Sequence, residues 1–197
     1  MHANPARPLP EAAVRYVIDV KASTFTVRAF SEGLLAVFGH NPRIAIRDFQ
    51  GEAQFTPGTA TLQDASLHMR IRASSLEVTD DVSDKDRREM QRQMYEEVLE
   101  TDRYPEILYE CSSVSATGSV DGRYWATLNG ELTLHGITQP LPISARVVVN
   151  GDSLRATGEF SVRQSDYDIA LVSVAAGAVR IKDELKFSFD IVARKQG

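Results

Sequence analysis

The chain has 197 residues, 43% of them hydrophobic and 25% charged, with a formal net charge of -5. That length suits one domain with a sizeable core, and an acidic balance with scattered basic residues argues against a nucleic-acid partner. A single cysteine, Cys111, excludes an internal disulfide and a cysteine-cluster metal site, and the histidines at 2, 40, 68 and 135 lack the spacing of a metal motif.

Residues 1–13 hold several prolines and read as a flexible N-terminal arm ahead of a single domain over 14–197. This start lacks the apolar run of a secretory signal, so as written the chain is expected to be cytoplasmic, or periplasmic if a leader has been trimmed. No apolar stretch is long enough to span a membrane as a helix.

Alternation with period two then begins. "RYVIDV", "TFTVRAF" and "RIAIRDF" are short strands. "ASLHMRIRASSLEV" sets Ala65, Leu67, Met69 and Ile71 on one face, and Ser66, His68, Arg70 and Arg72 on the other. "FGHNP" places His40 and Asn41 at a turn, as polar groups for the mouth of a cavity or as satisfied turn residues.

Residues 83–100, "SDKDRREMQRQMYEEVLE", break the pattern. Met90, Met94 and Val98 recur at helical spacing, and Ser83 with Asp86 resembles a capping box. The helix should stop before Pro105. The carboxylates of "TDDVSDKD" lack the glycine and terminal glutamate of a calcium loop and read as helix capping.

Strands resume with Ile107, Tyr109 and Cys111 on one face, followed by "YWATLNGELTL". Leu132 and Leu134 share its apolar side, which assigns His135 to the opposite face, toward solvent or the barrel rim, as a structural residue beside a turn, with Gly136 and Pro140 ending the strand. "LPISARVVVN", "SLRATGEFSVR" and "ELKFSFDIVAR" align Ile143, Ala145, Val147 and Val149, then Leu154, Ala156, Phe160 and Val162, then Leu185, Phe187, Phe189 and Ile191. Asp121–Gly122 and Asn150–Gly151 suit tight hairpin turns. About eight or nine locally joined strands with one helix predict an all-β fold: a lipocalin-like antiparallel up-and-down barrel of about eight strands with the amphipathic helix near one end, over an opening, and a two-sheet sandwich as the alternative.

No nucleophile elbow, phosphate loop or dinucleotide fingerprint occurs. The expectation is a chain with no catalytic and no metal-binding residues.

Taken in order, these segments resemble the YceI-like family of lipocalin-like, polyisoprenoid-binding bacterial proteins. "YVIDVKASTFTV" is similar to the family's opening W-x-I-D-x-x-x-S-x-I-x-F-x-V, and "FQGEAQF" to its F-x-G strand. "RASSLEVTD" resembles a strand ending in S-I-x-T, and "RYPEILYECSSV" resembles Y-P-x-I-x-F-x-S. "GELTLHGITQPLPI" matches G-x-L-T-I-H-G-V-T-K-P-V, and "FSVRQSDYDI" resembles I-x-R-x-D-F-G-I. The family's R-D-x-H-L with a Phe pair is replaced by a longer charged helix carrying Val98–Leu99, and its D-F-G reads Asp166, Tyr167, Asp168.

The resemblance implies an eight-stranded barrel around an apolar channel. Such a barrel would hold a polyprenyl chain, an isoprenoid quinone or a fatty acid, need no cofactor, and form a homodimer. Strand parity proposes the lining: Phe25, Val27, Ile44, Ile46, Leu67, Met69, Ile71, Ile107, Tyr109, Leu132, Leu134, Phe160, Val162, Phe187 and Phe189, with Met90, Met94 and Val98 from the helix. Two other readings stay open. One is a lipid-acting enzyme using His40 or Arg163, Ser165, Asp166 and Tyr167; the other is a filled barrel that binds another protein.

Overall fold

A computed structural model describes residues 13–32, 41–56, 62–120, 122–174 and 179–197. The predicted arm, apart from Ala13, and His40 lie outside the described residues.

The first strands are short and come in broken pairs. β1 (Val14–Ile18) and β2 (Thr24–Arg28) are separated by one tight turn capped by Asp19, whose Oδ1 accepts from Ala22 N at 3.2 Å. A short β3 (Ser31–Glu32) follows. β4 (Arg43–Ile46) breaks at Arg47–Asp48 before β5 (Phe49–Thr56). β6 (Gln63–Arg72) breaks at Ala73–Ser75 before β7 (Leu76–Val78). The last two breaks are stitched together, since Asp48 N donates to Ser75 Oγ at 3.0 Å and Arg47 N to Ser75 O at 3.2 Å.

After the helix α1 (Asp84–Gln93) the strands are long: β8 (Glu106–Val120), β9 (Arg123–Leu134), β10 (Ile137–Asn150) and β11 (Ser153–Arg163). β12 (Ser173–Val174), β13 (Val179–Ile181) and β14 (Glu184–Gln196) complete the set.

Eight of these close a barrel in the order β1-β5-β6-β8-β9-β10-β11-β14, with β14 pairing back onto β1. Closure satisfies the strand edges and excludes the sandwich alternative. At the helix end the order changes. The first half of β14 pairs β2, and the sheet continues through β4 to β7. Among the described residues, no strand pairs the outer edge of β7 there. The helix covers it instead: Gln91 Oε1 accepts from Val78 N at 2.9 Å, and Gln91 Nε2 donates to Leu76 O. A side-chain amide thus performs the pairing a strand would provide. A small sheet of β12, β13 and β3 flanks the same end.

Ser83 caps the helix as predicted, its Oγ accepting from Asp86 N at 3.1 Å. The helix does not stay α. Met94–Val98 forms a wider π-type turn, with Leu99 N donating to Met94 O at 2.9 Å. It ends at Glu100, which takes a left-handed conformation (φ 44°).

One sequence expectation is corrected and another is narrowed. Pro140 does not end a strand: β10 begins at Ile137 and carries both Pro140 and Pro142. It can do so because β10 pairs β11 only from Arg146 onward, so the prolines lie where one edge of β10 is unpaired. His135 takes the rim alternative rather than the solvent one, and its side chain is largely covered. With Gly136 it forms the two-residue turn between β9 and β10, both at positive φ (52° and 76°), and strand parity stops applying there.

Candidate functional site

The inward residues of the barrel do not fill it. They enclose a cavity of about 540 Å³, within the range of small-molecule sites. Phe25 and Val27 reach it from β2, Ile44 and Ile46 from β4, and Leu67, Met69 and Ile71 from β6. Ile107 and Tyr109 of β8, Leu132 and Leu134 of β9, Phe160 of β11, and Phe187 and Phe189 of β14 complete the predicted wall. Met90, Met94 and Val98 close it from the helix. Val162 is the exception. It is buried in the same core but borders a separate groove between β10 and β11, where those strands part.

One wall is aromatic. The rings of Phe160 and Phe187 stack with centroids 4.8 Å apart, and Phe25 sits edge-on to Phe49 at 6.0 Å. On another, the ring of Tyr109 lies over Gly130, where an added Cβ would meet it at 2.5 Å. The phenol shares its proton between the carbonyls of Leu141 (3.0 Å) and Leu128 (3.1 Å), and burial pushes its pKa well above the ordinary range. It therefore contributes a satisfied, neutral ring. At the far end, Tyr16 stacks on Phe55 at 5.5 Å and donates to Gly151 O at 2.9 Å, in a cluster with Leu154, Ala193 and Tyr124.

Sequence reasoning left several lining residues out of the site. Ala65, Ala126, Ala145, Val147 and Leu154 also border the cavity. Their signal was present: small residues at inward parity leave space where large ones would fill it. Gln164 was missed as well. It continues the inward series Phe160, Val162, Gln164 and is a buried polar residue in an apolar row. The other polar side chains at the cavity sit toward its ends: Gln54 and Ser66 beside the β5–β6 bulge, and Ser31, Gln93 and Arg180 with Gln164 near the helix end.

Asn41 is exposed, its Oδ1 accepting from Ser31 N at 2.9 Å. His135 is 11% exposed at its side chain and is absent from the cavity wall. Its Nε2 meets Glu100 Oε2 at 2.6 Å, its Nδ1 meets Tyr167 O at 3.2 Å, and its ring packs on Tyr104 at 4.3 Å. It ties the helix end to the barrel. The histidine–carboxylate pair is real, but it does not face the cavity.

The other residues weighed for chemistry also lie outside the cavity wall. Arg163, Asp166 and Tyr167 border the separate groove. Ser165 donates from Oγ to Asp183 Oδ2 at 2.7 Å and from its backbone N to Oδ1 at 2.8 Å. Those bonds, with Arg163 beside them, hold the Asp183 carboxyl below its usual range. Among the described residues, no group of three or more His, Cys, Asp or Glu side chains is placed to hold a metal, and no helix is long and apolar enough to cross a membrane.

A model of the YceI-like domain matches residues 16–193. A UPF0312 protein of Shewanella oneidensis is 25% identical over 172 residues, covering 83% of this chain and 81% of its own. One of Pseudomonas fluorescens is 26% identical over 141 residues, covering 71% and 65%. Among solved structures, Burkholderia cenocepacia BcnA superposes with a TM-score of 0.66 at 18% identity, over 89% of this chain and 98% of its own. A polyisoprenoid binding domain from Saccharophagus degradans gives 0.64 at 13% identity, over 92% and 98%. The Campylobacter jejuni YCEI protein gives 0.58 at 13%, over 81% and 88%. The chain belongs to the YceI-like family, and its fold is that family's lipocalin-like barrel.

Proposed function

We propose that this YceI-like barrel is a non-catalytic binding and carrier protein for one long apolar ligand: a polyisoprenoid, an isoprenoid quinone or a fatty-acid-like chain. The observation that carries the proposal is the cavity of about 540 Å³ with a wall of aliphatic and aromatic side chains. A space of that kind has little to offer a polar solute and much to offer a hydrocarbon, at about 0.8 kcal/mol per buried CH₂. The Saccharophagus degradans neighbour, a polyisoprenoid binding domain, supports the same ligand class.

Met90, Met94 and Val98 give the helix an apolar underside against the cavity, and Met side chains adapt to irregular shapes. The helix is therefore the part of the wall best suited to admit a chain. Native mass spectrometry of gently purified protein tests the proposal. The expected result is an added mass, released under activation, that fragments as a prenyl or alkyl species. Protein that carries no such mass, and takes none up when offered lipids, contradicts it.

A further inference from the structure

Among the described residues, the cavity wall contains one buried polar side chain, and its bonding is incomplete. Gln164 is 3% exposed, the buried polar residue of the core. Its Nε2 donates to Lys182 O at 3.0 Å, which fixes the orientation of the amide. Its Oε1 accepts from none of the described residues. Arg87 Nε is the side-chain polar atom among the described residues that is both fully enclosed and unpartnered. Oε1, also unpartnered, must then border open space. Gln164 lines the cavity and is otherwise covered, so that space is the barrel interior.

A buried acceptor beside an apolar void is unfavourable until a donor reaches it. The backbone around it is already committed, since Gln164 N donates to Asp183 O at 2.9 Å and Gln164 O accepts from Ile169 N at 3.1 Å. Among the described residues no donor reaches it, which leaves the place open for a donor carried by a ligand. Arg180 also borders the cavity, but it is exposed, and an exposed guanidinium can be satisfied by solvent without a ligand. The dry group therefore governs selection.

We infer, on the footing of the binding function proposed above, that Gln164 Oε1 is a headgroup acceptor, and that the ligand is a long apolar chain ending in a neutral hydroxyl. A hydroxyl brings the O–H that Oε1 lacks. An ether or a hydrocarbon brings no donor, and an ionised carboxylate brings acceptors only. A site built to hydrogen-bond an OH disfavours analogues that lack it, because its own buried group is then left unpaired.

The test is competition against diphenylhexatriene, a hydrocarbon probe that reports on the cavity independently of any headgroup. Hexadecanol, its methyl ether, hexadecane and palmitate are the competitors. The expected ranking in the parent protein places hexadecanol at least about tenfold tighter than the ether and the hydrocarbon, and tighter than palmitate. In Gln164→Leu the advantage of the alcohol over the ether should vanish while the probe still binds. Should that variant fail to fold, the parent's own ranking decides the matter. Equal affinities for alcohol and ether overturn the headgroup assignment while leaving the carrier reading intact. Tightest binding of palmitate, lost in Arg180→Gln, overturns it in favour of an anionic head. A parent that binds neither probe nor competitor overturns the carrier reading, and this inference with it.

Discussion

Glu100 and His135 both sit in left-handed backbone, and their side chains meet each other at 2.6 Å. Each pinned conformation is unfavourable alone for a residue with a Cβ, and the bond between them holds both in place. His135→Ala removes the contacts to Glu100, Tyr167 O and the Tyr104 ring together. The expected loss is about 1–3 kcal/mol of stability, measured by denaturant titration, with binding of a hydrocarbon probe nearly unchanged because the ring is off the cavity. Asp183 makes a separate prediction. Its pKa is lowered in the fold, first by the hydrogen bond from Ser165 Oγ. Its contribution is therefore present above about pH 4, the unfolded carboxylate range, and is lost as pH falls through the lower folded value. Melting curves should show a smaller loss of stability on acidification for Asp183→Asn than for the parent. Alternation made Leu67, Met69 and Ile71 legible in the sequence, because nothing interrupts β6 there. It kept His135 off the apolar face but left solvent and rim open, because a two-residue turn takes the chain out of strand parity, and it could not foresee Glu100 as a partner separated by 35 residues. Asp168, where the family pattern has glycine, is legible only afterwards. Its φ of 54° is one that aspartate tolerates.

At the scale of elements, the helix stands in for a strand. Its apolar spacing, its Ser83 cap and its place near one end of the barrel were readable from the sequence; its bonding to the edge of β7 was not, since that gap exists only once the barrel has closed. Gln91 bonds both Val78 N and Leu76 O. Gln91→Leu should therefore raise amide exchange at Val78 well above that of its neighbours in β4, measured by hydrogen exchange. Unchanged protection would show that the amide is not what seals this edge. The lid role of the helix is tested by Met94→Asp against Arg88→Asp. Met94 is buried against the cavity and Arg88 is exposed. A carboxylate at 94 should slow uptake of a fluorescent lipid roughly tenfold or more, while one at 88 leaves it nearly unchanged. Equal effects would remove the lid. The long hairpins β8–β9 and β10–β11 were the most readable elements, because Gly122 and Gly151 supply the positive φ (72° and 55°) their turns require, although the second turn falls at Gly151–Asp152, one residue later than expected, since Asn150 still pairs with Ser153. Pro140 misled because its effect depends on whether a neighbouring strand claims that edge, which is a property of the whole sheet.

For the whole molecule, the distribution of small and large inward residues sets the space available. Ala65, Ala126 and Ala145 all border the cavity toward the end closed by Tyr16 and Phe55. Ala65→Phe should shorten the interior, weakening long chains more than short ones, with about 1–3 kcal/mol lost in stability from overpacking. The most direct test of the central claim is a titration of the parent protein with a homologous series of alkyl chains. If the cavity takes one chain lengthwise, affinity should climb by roughly fourfold for each added methylene, then stop climbing once the interior is full. Affinity that does not depend on chain length, or no binding at any length, would contradict the carrier account and leave a barrel that serves by its outer surface.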